Sequence, residues 1–160
     1  MPDRLSLPWL SRDAWLLFLT RALRLFAYGA LSVVLVFYLV GVGLTPPQVG
    51  LLLTLTLAGD AVVSLALTTR ADRLGRRRIL LLGSVLMAAA GAVFAASSTF
   101  WLLLLAATIG VISPSGQEVG PFLSVEQAAL SHVVPDGART EVFAWYTMAG
   151  ALATALGALV

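Results

Sequence analysis

The amino-acid sequence predicts an all-α, polytopic transmembrane helix bundle, and three observations carry that expectation. Hydrophobic residues fill 59% of the 160 positions and charged residues only 11%, against about 25% charged in a soluble domain. Mean hydropathy is +0.96. The apolar residues also gather into long runs separated by short polar turns, and runs of about 20 residues cross a bilayer. The basic charge is concentrated: Arg70, Arg73, Arg76, Arg77 and Arg78 stand with Asp72 in one stretch between two apolar runs. Such a cluster is rarely carried across a membrane, so it orients the turns.

Residues 1–13, with Asp3, Arg4, Arg12 and Asp13 around Pro8 and Trp9, read as a cytoplasmic tail. The apolar run that follows is too long for a signal peptide. The first span covers residues 14–40, long enough to require tilt. The second covers 46–69 and opens on Thr45-Pro46-Pro47-Gln48, a capping box with proline at the first helical position. A cytoplasmic loop, 70–78, follows. The third span covers 79–97, where Ser84, Ala88, Ala92 and Ala96 form a small-residue stripe open to close helix approach. Thr99 is placed to cap a fourth span, 100–134, broken near 113–121 by Pro114, Gly116, Gly120 and Pro121. Pro135-Asp136-Gly137 ends it. The fifth, 140–160, presents Ala149, Ala153 and Gly157 on one face and is still running at Val160.

Arg4, Arg12, Arg70, Arg73, Arg76, Arg77, Arg78 and Arg139 fall on one side of this arrangement and none in the opposite turns. That asymmetry places the N-terminus in the cytoplasm, and the expected location is the plasma (inner) membrane.

The sequence Asp72-Arg73-x-Gly75-Arg76-Arg77 resembles the signature loop between the second and third helices of the major facilitator superfamily of transporters, Gly-x-x-x-Asp-Arg-x-Gly-Arg-(Arg or Lys). The leading glycine is Thr68 here. The resemblance implies that Asp72, Arg73, Gly75, Arg76 and Arg77 form a conformational signature loop. It also implies a fold of twelve helices in two halves, each built of inverted three-helix repeats. The 160 residues correspond to an incomplete N-terminal half of that fold. A truncated chain, a fragment of a gene and one part of a split transporter all fit.

Five ionisable residues remain inside the apolar runs: Arg21, Arg24, Asp60, Glu118 and Glu126. Each costs at least ~2.5 kcal/mol at mid-bilayer unless paired or hydrated, so all should face the bundle interior. Arg21, Arg24 and Tyr28 share one helix face. Counted along the helices, Asp60 lies at a similar depth, so it is expected to pair with Arg24 or Arg21, either structurally or as part of a substrate site. Glu118, beside Gln117, lies in the broken segment, where irregular backbone is tolerated only if buried in protein or lining a cavity. Two cations face three acids. One-to-one pairing leaves one acid over, and an acid without a cation away from water is held neutral. Glu118, ahead of Glu126 and Asp60, is the expected carrier of a coupling proton. The expected substrate and ion pathway is therefore Arg21, Arg24, Tyr28, Asp60, Gln117, Glu118 and Glu126.

Other functions find less support. The basic charge forms no face interleaved with aromatics, so no nucleic-acid partner is expected. One histidine, His132, and no cysteine cannot build a typical His-rich or thiolate metal site, and no cofactor is expected. Ser115 and His132 superficially resemble the pair of an intramembrane serine hydrolase. They are seventeen residues apart, about 25 Å along a continuous helix, where a nucleophile and its base need hydrogen-bond reach. The chain is therefore not expected to be an enzyme. The leading expectation is alternating-access transport of a small solute, coupled to a proton, with the lipid bilayer as surroundings. A missing second half or a homo-oligomer would complete the assembly. The alternative is a non-transporting membrane or assembly subunit.

Overall fold

The computed structural model describes residues 11–116, 118 and 122–160, and of Asp72 the backbone alone. Among them every regular element is helical: α1 (Arg12–Gly41), α2 (Pro46–Leu74), α3 (Arg76–Ala96), α4 (Phe100–Ile109), α5 (Phe122–Val133) and α6 (Arg139–Ala158), with a 3-10 turn at Asp136–Ala138. The first three helices are long and apolar enough to cross a membrane. Phe37, Trp101, Val62 and Leu65 are more than two-thirds exposed, as side chains facing hydrocarbon would be.

Of the expected tail, residues 1–10 lie outside the described residues, and Arg12 and Asp13 already belong to α1. Ser11 caps this helix, its Oγ accepting from the Ala14 N–H at 3.1 Å. At the start of α2, Gln48 Oε1 accepts from the Thr45 N–H at 2.9 Å, the return arm of the capping box.

The charged stretch 70–78 is not a loop. α2 continues to Leu74 and α3 begins at Arg76, leaving Gly75 alone between them at φ +89°. Arginine is a good helix former, so its charge does not end a helix. Glycine does, because it reaches a left-handed conformation that other residues adopt only with strain. The Gly75 N–H closes α2 on the Ala71 carbonyl at 2.9 Å, and the Gly75 carbonyl accepts from the Arg78 N–H at 3.1 Å to start α3.

The break in the fourth segment is longer than expected. α4 stops at Ile109, Gly110 follows, and Val111 takes φ +54°. Gly110 lies so close to α3 that an added Cβ would stand 2.2 Å from the Ala90 Cβ. Thr99 occupies the position before α4 but makes no side-chain cap; Ser97 Oγ instead accepts from the Thr99 N–H at 3.2 Å. After α5, Arg139 donates to the Ser131 carbonyl at 2.8 Å and pairs with Asp136 at 2.8 Å, satisfying the end of that helix.

α1 lies along α6, and α2 along α4. Glycine makes both contacts backbone-close: a Cβ on Gly29 would stand 2.1 Å from the Thr154 carbonyl oxygen, and one on Gly157 2.0 Å from that of Phe26. On the other seam, a Cβ on Gly59 would stand 2.3 Å from the Thr108 carbonyl oxygen. The α6 face combines the expected Ala153 and Gly157 with Tyr146 and Gly150. On α3 the expected stripe is turned outward: Ser84, Ala88, Ala92 and Ala96 are exposed, and Gly83 and Ala90 face the core. Gly83 sets that rotation, because the Phe122 ring lies where its Cβ would be, at 2.9 Å.

Two apolar clusters bracket the bundle. Leu35, Leu39, Leu52 and Leu103 fill one end, and Ala14, Leu130, Val142 and Tyr146 the other. The buried charges lie between them.

Candidate functional site

The 3.6-residue repeat of α1 places Arg21, Arg24 and Tyr28 on its buried face, at 7%, 8% and 1% exposure. α5 follows the break and turns Phe122 and Glu126 inward. α6 contributes Tyr146 and Gly150. Glu118, from the break itself, completes the group.

Arg24 grips Glu126 with a two-pronged fork, Nη1 to Oε1 at 2.9 Å and Nη2 to Oε2 at 2.8 Å. Arg24 Nη2 also donates to Glu118 Oε1. Glu118 Oε2 lies 2.8 Å from Arg21 Nη2, so one carboxylate spans both arginines. Tyr146 donates its hydroxyl to Glu126 Oε2 at 2.6 Å. The rings add to this: the Arg21 guanidinium lies 4.0 Å over the Tyr146 ring, and that of Arg24 4.1 Å over Phe122. Two guanidiniums and two carboxylates make a neutral set, the form in which buried charge is least costly.

The acids found on Arg21 and Arg24 are thus Glu118 and Glu126. Asp60, expected in that role, is half-buried and accepts from Ser64 Oγ at 3.4 Å one turn further along α2. One-to-one pairing fails as well, because Glu118 is shared and Glu126 serves both Arg24 and Tyr146. Depth counted along a straight helix missed this, since residues 110–116 and 118 are not helical and Glu118 lies against α1. Gln117 lies outside the described residues.

Tyr28 donates to the Val111 carbonyl at 2.8 Å. That bond ties the charged face of α1 to the one non-glycine residue with positive φ among the described residues, a conformation that for a β-branched side chain stores strain. Sequence reasoning overlooked Tyr146 and Gly150. Their signal was a tyrosine four residues before a glycine on an otherwise small-residue face. A Cβ on Gly150 would stand 3.0 Å from Arg21 Nε, so the glycine is what admits the guanidinium.

A cleft of about 580 Å³ opens between α1, α3 and α5. The exposed Arg77 and the buried Arg24 and Glu126 all line it, together with Asp13 and Arg76. At the signature sequence, Arg76 Nη1 donates to the Ala128 carbonyl at 3.2 Å, tying α3 to α5. Arg73 and Arg77 are exposed, and the Asp72 side chain lies outside the description. Thr68, where the motif has glycine, meets the Ser124 hydroxyl at 3.2 Å. Ser115 is exposed with Ser113 Oγ at 3.4 Å, and His132 is exposed in the last turn of α5.

An all-α bundle with long apolar helices and a charge-balanced polar centre defines an integral membrane protein. The sequence model of the Major Facilitator Superfamily matches residues 17–160, and the chain belongs to that family. It is 45% identical over 150 residues to the uncharacterized membrane protein YJR124C of Saccharomyces cerevisiae. The match covers 94% of this chain and 34% of that relative, so the chain spans about a third of the relative's length.

Proposed function

We propose that the chain forms part of the solute path of a proton-coupled secondary transporter, which moves a small solute by alternating access. The observation that carries this reading is the buried set of Arg21, Arg24, Glu118 and Glu126 against a break in the fourth segment. Charges inside a membrane bundle are costly and mark substrate or ion paths. Broken helices near mid-membrane are where transporters hold their cargo. Tyr28 and Asp60 border the set, Gln117 is adjacent in sequence to Glu118, and Glu118 is the proposed proton carrier. The signature residues Asp72, Arg73, Gly75, Arg76 and Arg77 are the proposed conformational element, with Gly75 as its pivot.

Orientation belongs to the same proposal. The start of α1 at Asp13 and the start of α3 at Arg76 and Arg77 meet around the α1–α3–α5 cleft, which supports one basic, cytoplasmic side. A second bundle, either a separate half or another copy of the chain, completes the assembly. The chain has no cysteine, so an Arg76→Cys variant reports on one position. A membrane-impermeant maleimide should label it only from the cytoplasmic side of the plasma membrane.

The test of transport is solute-dependent proton movement. The full chain, with and without its co-expressed remainder, is placed in vesicles carrying a pH gradient and challenged with a panel of small solutes. The expected result is collapse of the gradient by a subset of solutes and its loss in Glu118→Gln. Proton movement unchanged in Glu118→Gln removes that residue from the role. No response in any assembly favours the non-transporting subunit.

A further inference from the structure

Arg21 is not satisfied by its surroundings. Its side chain is 8% exposed, yet Nε and Nη1 meet no acceptor among the described residues. Its contact with Glu118 is a charge contact without hydrogen-bond alignment, since Glu118 Oε2 accepts no hydrogen bond among the described residues. Arg24, by contrast, leaves only Nε without an acceptor and holds both oxygens of Glu126 and one of Glu118. A buried guanidinium with two idle donors is costly, because each unmade bond forfeits the desolvation already incurred. Space for it is deliberate in the fold: Gly150 supplies the room and the Tyr146 ring the platform.

We propose that Arg21 binds the carboxylate of an organic-acid substrate, and that Glu118 takes up one proton as it binds. This rests on the transporter reading and names its cargo. The exchange balances. The resting set carries two positive and two negative charges. A substrate carboxylate displaces Glu118 from Arg21 and adds one negative charge. Glu118 stays beside Arg24, whose charge Glu126 already matches. One proton from water on Glu118 Oε2, the oxygen freed from Arg21, returns the set to neutrality, while Oε1 still accepts from Arg24 Nη2. No bond of the substrate breaks and no electron moves.

The surroundings favour Glu118 as the acceptor of that proton. Glu126 is held by the Arg24 fork and by the Tyr146 hydroxyl. Among the described residues, Tyr28 on α1, Tyr146 on α6 and Asp60 on α2 also surround the set, Asp60 within electrostatic reach of Tyr28, and Asp13, Arg76 and Arg77 line the cleft that Arg24 and Glu126 share. Asp60 accepts from Ser64 Oγ, and the acid found on Arg21 is Glu118. Loading is electroneutral, so uptake of the acid follows the pH gradient and not the membrane potential.

Acetate is the probe, since it is the head group of Glu118 freed from the chain. The full chain in detergent is titrated with sodium acetate against sodium chloride at equal ionic strength. Melting temperature reports binding, and calorimetry in two buffers of different ionisation enthalpy reports protons. The expected result is saturable, acetate-specific stabilisation with about one proton taken up per acetate near neutral pH. Glu118→Gln should bind acetate about tenfold more tightly, because its competitor is gone, and take up no proton. Arg21→Met should lose the acetate effect; if that variant does not fold, the proton count of Glu118→Gln decides. No acetate-specific effect in either wild type or Glu118→Gln overturns the proposal, as does proton uptake unchanged in Glu118→Gln. Acetate binding with a proton but no solute movement in vesicles leaves the site standing and overturns transport. Transport of another solute without acetate binding does the reverse.

Discussion

Two seams hold this bundle, and they differ in what they enclose. The α2–α4 seam is uncharged: Gly59 rests on the Thr108 carbonyl, Leu52 and Leu103 fill the space, and the buried Thr56 returns its hydroxyl to the Leu52 carbonyl at 2.7 Å. The α1–α6 seam uses the same glycine contacts at Gly29 and Gly157 yet also carries Arg21, Tyr146 and, through the break, Arg24, Glu118 and Glu126. Close backbone packing is therefore common to both and explains how the bundle holds together. The charges are extra, and they stand where the α1–α6 seam meets irregular backbone. A seam built for stability alone has no use for them, since buried ion pairs replaced by apolar residues often leave stability unchanged or improved.

The comparison can be broken by substitution. The largest expected effect is Arg24→Gln. It strands two buried carboxylates with one remaining arginine and should cost about 3–5 kcal/mol in detergent unfolding. Gly29→Ala and Gly59→Ala come next. Each drives a Cβ to within 2.1–2.3 Å of a carbonyl oxygen, and each should cost about 1–3 kcal/mol as overpacking. Equal losses on both seams would confirm that packing does not distinguish them. Tyr146→Phe removes one hydroxyl from Glu126 and should cost about 1–3 kcal/mol, while the ring that supports Arg21 is kept and acetate binding should persist. The smallest effect is Gly91→Ala on α3. Its added Cβ meets nothing within 4 Å, so the helix should gain about 0.5–1 kcal/mol. A large loss there would mean that this face is covered in the assembly.

Much of the fold was readable because its signals are local. Apolar runs, the Thr45 cap and the arginine cluster all act within a few residues. The charged face of α1 was readable too, since arginines in hydrocarbon stand out and 3.6-residue spacing aligns Arg21, Arg24 and Tyr28. Pairing was not readable, because which acid reaches an arginine depends on how the chain leaves α4 at Gly110 and Val111. A sequence marks such a break with glycine and proline but does not state its path. The junction of α2 and α3 misled for a related reason. Charge suggested a loop over 70–78, whereas backbone freedom at Gly75 alone decides the turn. Tyr146 and Gly150 stayed hidden because each is ordinary until Arg21 is seen lying against them.

The central claim is that the buried charges act as one balanced unit and not as independent struts. A double-mutant cycle on Arg24→Gln and Glu126→Gln tests it most directly. The double variant leaves Arg21 facing Glu118, one charge each. The account predicts that it unfolds at a higher denaturant concentration than either single variant, with a coupling of about 1.5–3 kcal/mol or more. Losses that simply add would contradict it.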